Sequence, residues 1–167
     1  MPVIPDPPVA VSPGFNQAAI NTLISNISSG ARKLNVFQQV LTHEPKSAPQ
    51  HDITMAFWVT DLVPSPKFSG LGATAGMVTF NHRIYVNFKY KPEDAIESKL
   101  LTGVSSLING YTTDFSLGET VINVDLLGMD SQGLSAKTGY AEIDRINFRI
   151  ADLTVPVLID QLWIQEP

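Results

Sequence analysis

Cysteine is absent from this chain of 167 residues, and charge is scarce. Without thiols there is no disulfide and no thiolate metal site, so covalently stapled and zinc-framework folds are excluded. The core must hold by burial alone. A chain of this length has room for one domain of ordinary size, which buries roughly 68–70% of the surface exposed by the unfolded form. Only 16% of the residues are charged, against about 25% in a typical soluble domain. So little charge leaves a lone subunit poorly protected against association: either a large core and a surface rich in Ser, Thr, Asn and Gln account for it, or other subunits permanently cover part of the surface. Sixteen acidic against eleven basic residues give a formal net charge of −5, which disfavours a surface that grips duplex nucleic acid. No apolar run approaches the ~20 residues that a membrane-spanning helix needs, so no membrane partner is expected.

Chemistry-bearing residues are equally sparse. His43, His51 and His82 are the only histidines, and none stands at metal-ligand spacing from another. His43, Glu44, His51 and Asp52 lie close in sequence, but loop histidines beside carboxylates read as polar surface. The stretch Gly70-Leu71-Gly72-Ala73-Thr74-Ala75-Gly76 lacks the Lys-Ser/Thr and the following helix of a phosphate-binding loop; it reads as turns running into a strand. Asp125, Asp130, Asp144 and Asp152 fall at separate strand ends and loops and read as solvated. The alternating row Arg83, Tyr85, Asn87 and Lys89 has one aromatic among its charges, too few for a nucleic-acid platform, and reads as a solvated or interfacial sheet face. No nucleophile–base–orienter set emerges. The expectation is a protein that is not an enzyme, with no catalytic, metal or cofactor-binding residues and no cofactor.

What is present is alternation and two helical stripes. Residues 1–11 carry prolines at 2, 5, 7 and 8 and no basic segment; they read as an extended arm, not a secretory leader. Ser12-Pro13 offers a helix start, followed by Phe15, Ala19, Ile20, Leu23, Ile24 and Ile27 on one face, with a stop at Ser28-Ser29-Gly30. Strands are expected at 34–42, 52–62 and 77–90, the last with a bulge or turn at Asn81-His82. In the second of these, Ile53, Met55, Phe57 and Val59 face one way and Thr54, Ala56, Trp58 and Thr60 the other, both apolar enough for a strand covered on both sides. Between them, 63–76 reads as a long loop. Pro92, Glu93 and Asp94 open a second helix with the stripe Ile96, Leu100, Val104, Leu107, Ile108 and Tyr111, closed at Asn109-Gly110. Further strands are expected at 120–127, 140–150 and 153–163, around a polar loop 128–138. The economical architecture is α+β: a twisted mixed or antiparallel β-sheet with two amphipathic helices on one face. Residues 12–167 would form that single domain.

Short motifs recur in a telling order: His43-Glu44-Pro45, Ala56-Phe57-Trp58-Val59 and Arg83-Ile84-Tyr85, then Asp114-Phe115-Ser116-Leu117-Gly118, Val124-Asp125-Leu126-Leu127-Gly128, Gly139-Tyr140, Leu153-Thr154-Val155-Pro156-Val157 and Leu162-Trp163. In this order and spacing, over residues 12–163, the chain resembles the tail terminator proteins of long-tailed, siphovirus-type phages, especially those of actinobacteria. The resemblance implies a small α+β subunit that forms a sixfold ring on the head-proximal end of the tail tube. Such a ring ends tube polymerisation and docks the head-completion proteins. The implied partners are further copies of the chain, the major tail tube protein, a head-completion or stopper protein, and genomic DNA sliding through the lumen without specific binding. The implied location is the virion neck, reached by assembly in the host cytoplasm. On that footing Pro2, Val3, Ile4, Pro5, Pro7, Pro8 and Trp163 are expected to contact neighbouring subunits. Lys67, Phe68 and Leu71 in one loop, and Met129 and Asp130 in another, are expected to meet the tube or the head side. Two alternatives stand beside this: a head–tail joining or head-completion protein, and a non-viral α+β module that binds a small molecule or peptide.

Overall fold

The computed structural model describes residues 14–165. Of the residues expected to touch neighbours, Pro2, Val3, Ile4, Pro5, Pro7 and Pro8 lie outside that range. The elements run β1 (Gly14–Phe15), α1 (Gln17–Lys33), β2 (Gln39–Leu41), β3 (Ile53–Pro64), β4 (Ala73–Asn87), α2 (Ala95–Thr113), β5 (Asn123–Val124), β6 (Ser135–Ile143) and β7 (Ile146–Ile164). One mixed sheet holds every described strand, in the order β1-β7-β4-β3-β2, with β5 and β6 also paired to β7. All pairings are antiparallel except the short parallel contact of β2 with β3. Long β7 is the spine: β4 runs along one side of it, and β6, β5 and β1 share the other.

The α+β expectation and both helical stripes hold. Ile20, Leu23 and Ile27 of α1, with Leu100, Leu107 and Tyr111 of α2, close over Ile53, Met55, Phe57, Val78, Phe80, Ile84, Val86, Leu153, Val155 and Val157 of the sheet. The opposite face carries a smaller cluster of Ala56, Tyr85, Phe148 and Ile150, covered by Ala48 from the segment between β2 and β3. Covering both faces explains why the central strands read as apolar on both sides.

Several expected boundaries move, each for a physical reason. The first helix begins at Gln17, because Asn16 is its cap, accepting from Ala19 N at 3.2 Å through its side chain. Phe15 belongs to β1 instead, its ring tilted at 59° against that of Trp163. The helix also runs through Ser28-Ser29-Gly30, since burial of Ser28 and Ala31 outweighs their weak propensity; Asn35, at φ 54°, makes the left-handed exit. Likewise α2 passes Gly110, with Tyr111 buried beyond it. The strand expected at 34–42 shrinks to β2, and that at 120–127 to β5. The strand expected at 140–150 is a hairpin, whose turn residues Asp144 and Arg145 sit at φ 51° and 61°. Two positive φ angles match the tight turn that suits strand twist, but without a glycine the signal is hidden. β4 runs straight through Asn81-His82; its irregularity lies between Thr74 and Gly76. Tyr85 is fully buried against Phe148, not part of a solvated row, because a second layer covers that face.

Candidate assembly surface

The long loop expected at 63–76 is present but shorter, because β3 runs on through Pro64 and β4 begins at Ala73. β3 and β4 pair from Ile53–Val86 out to Pro64–Gly76, with a register shift between Val59 and Asp61. Residues 60–64 are all exposed, Leu62 at 38% and Val63 at 46%. Only 65–72 connect the strands, and these are braced. Ser69 Oγ donates to the Ser65 carbonyl at 2.7 Å and accepts from Ala75 N at 3.2 Å, while Gly70 N donates to the Ala73 carbonyl at 3.0 Å. At the tip Leu71 is 99% exposed.

A second braced loop lies beside it, organised by one carboxylate. Asp125 Oδ1 accepts from Gly128 N at 3.0 Å and Met129 N at 2.8 Å; Oδ2 accepts from Asp130 N at 3.0 Å and Ser131 Oγ at 2.8 Å. Burial by itself raises the Asp125 carboxyl, yet these four donors outweigh it and hold the group below its ordinary range. The expectation of a solvated Asp125 is therefore wrong: a sequence cannot reveal that four local donors converge on one side chain. Gly133, at φ 78°, packs so tightly that a Cβ there would stand 2.7 Å from Gly128 N. From this rigid turn Leu127 and Met129 project, 88% and 77% exposed.

The two loops meet. Lys67 Nζ lies 3.0 Å from Asp130 Oδ1 and also sits over the Phe68 ring, 5.0 Å from its centroid. An exposed ion pair of this kind contributes about 0–1 kcal/mol, so it aligns the loops more than it stabilises them. The fold thus joins the loop that carries Lys67, Phe68 and Leu71 to the loop that carries Met129 and Asp130 through this one pair. Leu62, Val63 and Leu127 were not singled out from sequence; the exposure of the first two becomes visible only once 60–64 is seen to be the exposed end of β3, and that of Leu127 once the Asp125 turn is seen.

Trp163 is half-buried within its own chain. Its ring is 6.1 Å from that of Phe15 and packs on Gly76, where a Cβ would overlap Leu162 Cδ2 and stand 3.0 Å from Trp163 Cζ3. Gly76→Ala is expected to cost about 1–3 kcal/mol by overpacking and to change the tryptophan emission spectrum. Unchanged stability and emission would show that the contact is slack.

Two arginines are paired within the chain. Arg83 makes a bidentate pair with Asp152, at 2.6 and 2.9 Å, and lies over Trp58. Arg149 clamps Glu97, also donating to Gly139 O at 2.7 Å. His43 and His51 are exposed, and no group of three or more His, Asp or Glu among the described residues is arranged to hold a metal. Between the C-terminal halves of α1 and α2 runs a groove of about 760 Å³, lined by Asn26, Gly30, Lys33, Leu107, Asn109 and Tyr111 among others. The chain matches no protein-family model and no curated protein sequence.

Proposed function

We propose that this protein is a structural subunit of a phage tail neck, a tail terminator that closes into a ring on the head-proximal end of the tail tube. The observation that carries the reading is the pair of braced loops, which hold Leu71, Leu127 and Met129 in solvent. Apolar side chains fixed on rigid turns are costly for a free monomer and useful for a docked one. The ordered motifs, the low charge fraction and the α+β sheet fit the same role. An acidic subunit also suits a lumen through which DNA slides, because phosphates are repelled from its wall. In this reading the loop pair meets the tube or the head-completion ring, and the finished particle is the virion.

The test is negative-stain electron microscopy of the protein mixed with purified tail tubes. Density capping one tube end, lost when Leu71, Leu127 and Met129 are all changed to Ser, is the expected result. Uncapped tubes beside dispersed particles would overturn it. A second reading has one observation in its favour. The α1–α2 groove is of ligand-binding size, with polar Asn26, Lys33 and Asn109 around apolar Leu107, as a small-molecule or peptide-binding module requires. A stable monomer that binds such a ligand there would favour it.

A further inference from the structure

The two borders of the sheet are unequal and both are open. On one side β2 covers only Thr54, Met55 and Ala56 of β3. Beyond them, residues 57–64 have β4 as their only strand partner among the described residues. On the far side β6 pairs with β7 along its whole length and carries no strand on its outer edge among the described residues. Open edges present rows of unpaired backbone donors and acceptors, and proteins usually blunt them with charge, bulges or covering segments. The β3 edge is protected only in part: a register shift lies between Val59 and Asp61, and Asp61 Oδ1 accepts from Leu62 N at 2.9 Å, while Leu62 and Val63 stay exposed.

We infer that residues 60–63 of β3 in one copy pair with residues 135–138 of β6 in a second copy, Asp61 facing Lys137. Direction supports this. β3 is antiparallel to β4, β4 to β7 and β7 to β6, so β3 and β6 of one sheet run oppositely. Setting identical sheets side by side therefore creates an antiparallel junction. The pairing is confined to the start of β6 because further along Arg149 already donates to the Gly139 carbonyl. Charge supports it too: Asp61 and Lys137 are exposed, opposite in sign, and in no ion pair among the described residues. A β3–β3 pairing would set two Asp61 carboxylates close together, which is unfavourable. The chain's own residues 2–8 make a poor substitute, since prolines at 2, 5, 7 and 8 have no N–H for a ladder. A junction between unlike edges is heterologous and propagates until it closes as a ring or runs on as a filament. This deepens the ring reading by naming its subunit contact, but it depends only on the sheet borders.

Because the chain has no cysteine, disulfide trapping gives a clean test. In this register Val63 lies opposite Ser135, so full-length Val63→Cys and Ser135→Cys proteins are mixed and oxidised mildly. The expected product is dominated by the mixed pair, and the doubly substituted chain gives a ladder of covalent oligomers. Asp61→Lys is expected to cut the mixed yield about tenfold, with Lys137→Asp in the same chain restoring it and thermal melting unchanged in both. Removing residues 1–11 leaves the yield intact. Homotypic products in equal or greater yield, no product up to the solubility limit, or loss on removing the arm would each overturn the pairing. Tube capping without the cross-link would remove this contact and keep the terminator. The cross-link without capping would do the reverse.

Discussion

Lowering the pH from 7 to 4 is expected to strip about 3 kcal/mol of stability from the fold through one side chain, His82. It lies on β4, fully buried, with its ring 5.4 Å from Phe57 and 5.6 Å from Tyr111. Its Nε2 is hydrogen-bonded to the Tyr111 hydroxyl, and its Nδ1 has no partner among the described residues. Burial lowers the imidazole from 6.5 to about 3 and raises the Tyr111 hydroxyl, so both stay neutral at pH 7. The unfolded chain takes up a proton below pH 6.5, whereas the folded chain cannot until about pH 3. The stability of the neutral state is therefore complete above 6.5. It falls by about 1.4 kcal/mol per pH unit through the window and levels off below it. His82→Gln cannot titrate and still offers Tyr111 a hydrogen-bonding partner. Denaturant titrations at pH 7, 5.5 and 4 should give a smaller acid loss in the variant, by about 3 kcal/mol at pH 4. Equal slopes in both proteins would sink the assignment. Since Tyr111 belongs to α2, the same protonation should loosen the helical layer from the sheet.

The difference between His82 and the other two histidines shows where sequence reasoning stops. Period-2 alternation placed Ile53, Met55 and Phe57 on one face and Ala56 and Trp58 on the other, and the fold agrees. The 3.6-residue stripes of both helices were equally legible, because amphipathic burial leaves a local trace. His82 sits between Phe80 and Ile84 in an alternating strand, so its burial could have been inferred from phase; its contact with Tyr111 spans two elements and could not. The hairpin at Asp144-Arg145 was missed because its positive φ angles are carried by side chains that do not advertise them. One of those residues has a tertiary role: Asp144 Oδ2 accepts from Ala48 N at 2.8 Å, tying the turn to the segment that covers the second face. In the candidate assembly surface, Leu71 was legible as an apolar residue amid glycines. The neighbourhood of Lys67 and Asp130, 63 positions apart, exists only in the folded chain.

Asp125→Ala should be the most damaging single change to the candidate assembly surface, costing about 2–4 kcal/mol. The substitution removes acceptors from three backbone N–H groups and one hydroxyl at once. Gly128, at φ 78°, and its tight approach to Gly133 give the turn little alternative geometry. Asp125→Asn should fall between: its amide oxygen can serve some of the donors, while its NH2 opposes the rest. The titration has a definite sign. The Asp125 carboxyl is held down in the folded state, so its contribution is complete above the unfolded value near 3.8 and is lost as pH falls further, through the folded value. This lies below most of the His82 window, and the two acid responses can be separated by measuring Asp125→Ala and His82→Gln side by side. Hydrogen exchange at Gly128, Met129 and Asp130 gives the local readout: fast in Asp125→Ala, protected in the parent chain. If protection is retained, the backbone ladder to β7 holds the loop and the carboxylate does not. If it is lost, Leu127 and Met129 no longer project from a fixed turn. A capping defect in Asp125→Ala, measured well below its melting temperature, would then tie tube-end recognition to the rigidity of this loop.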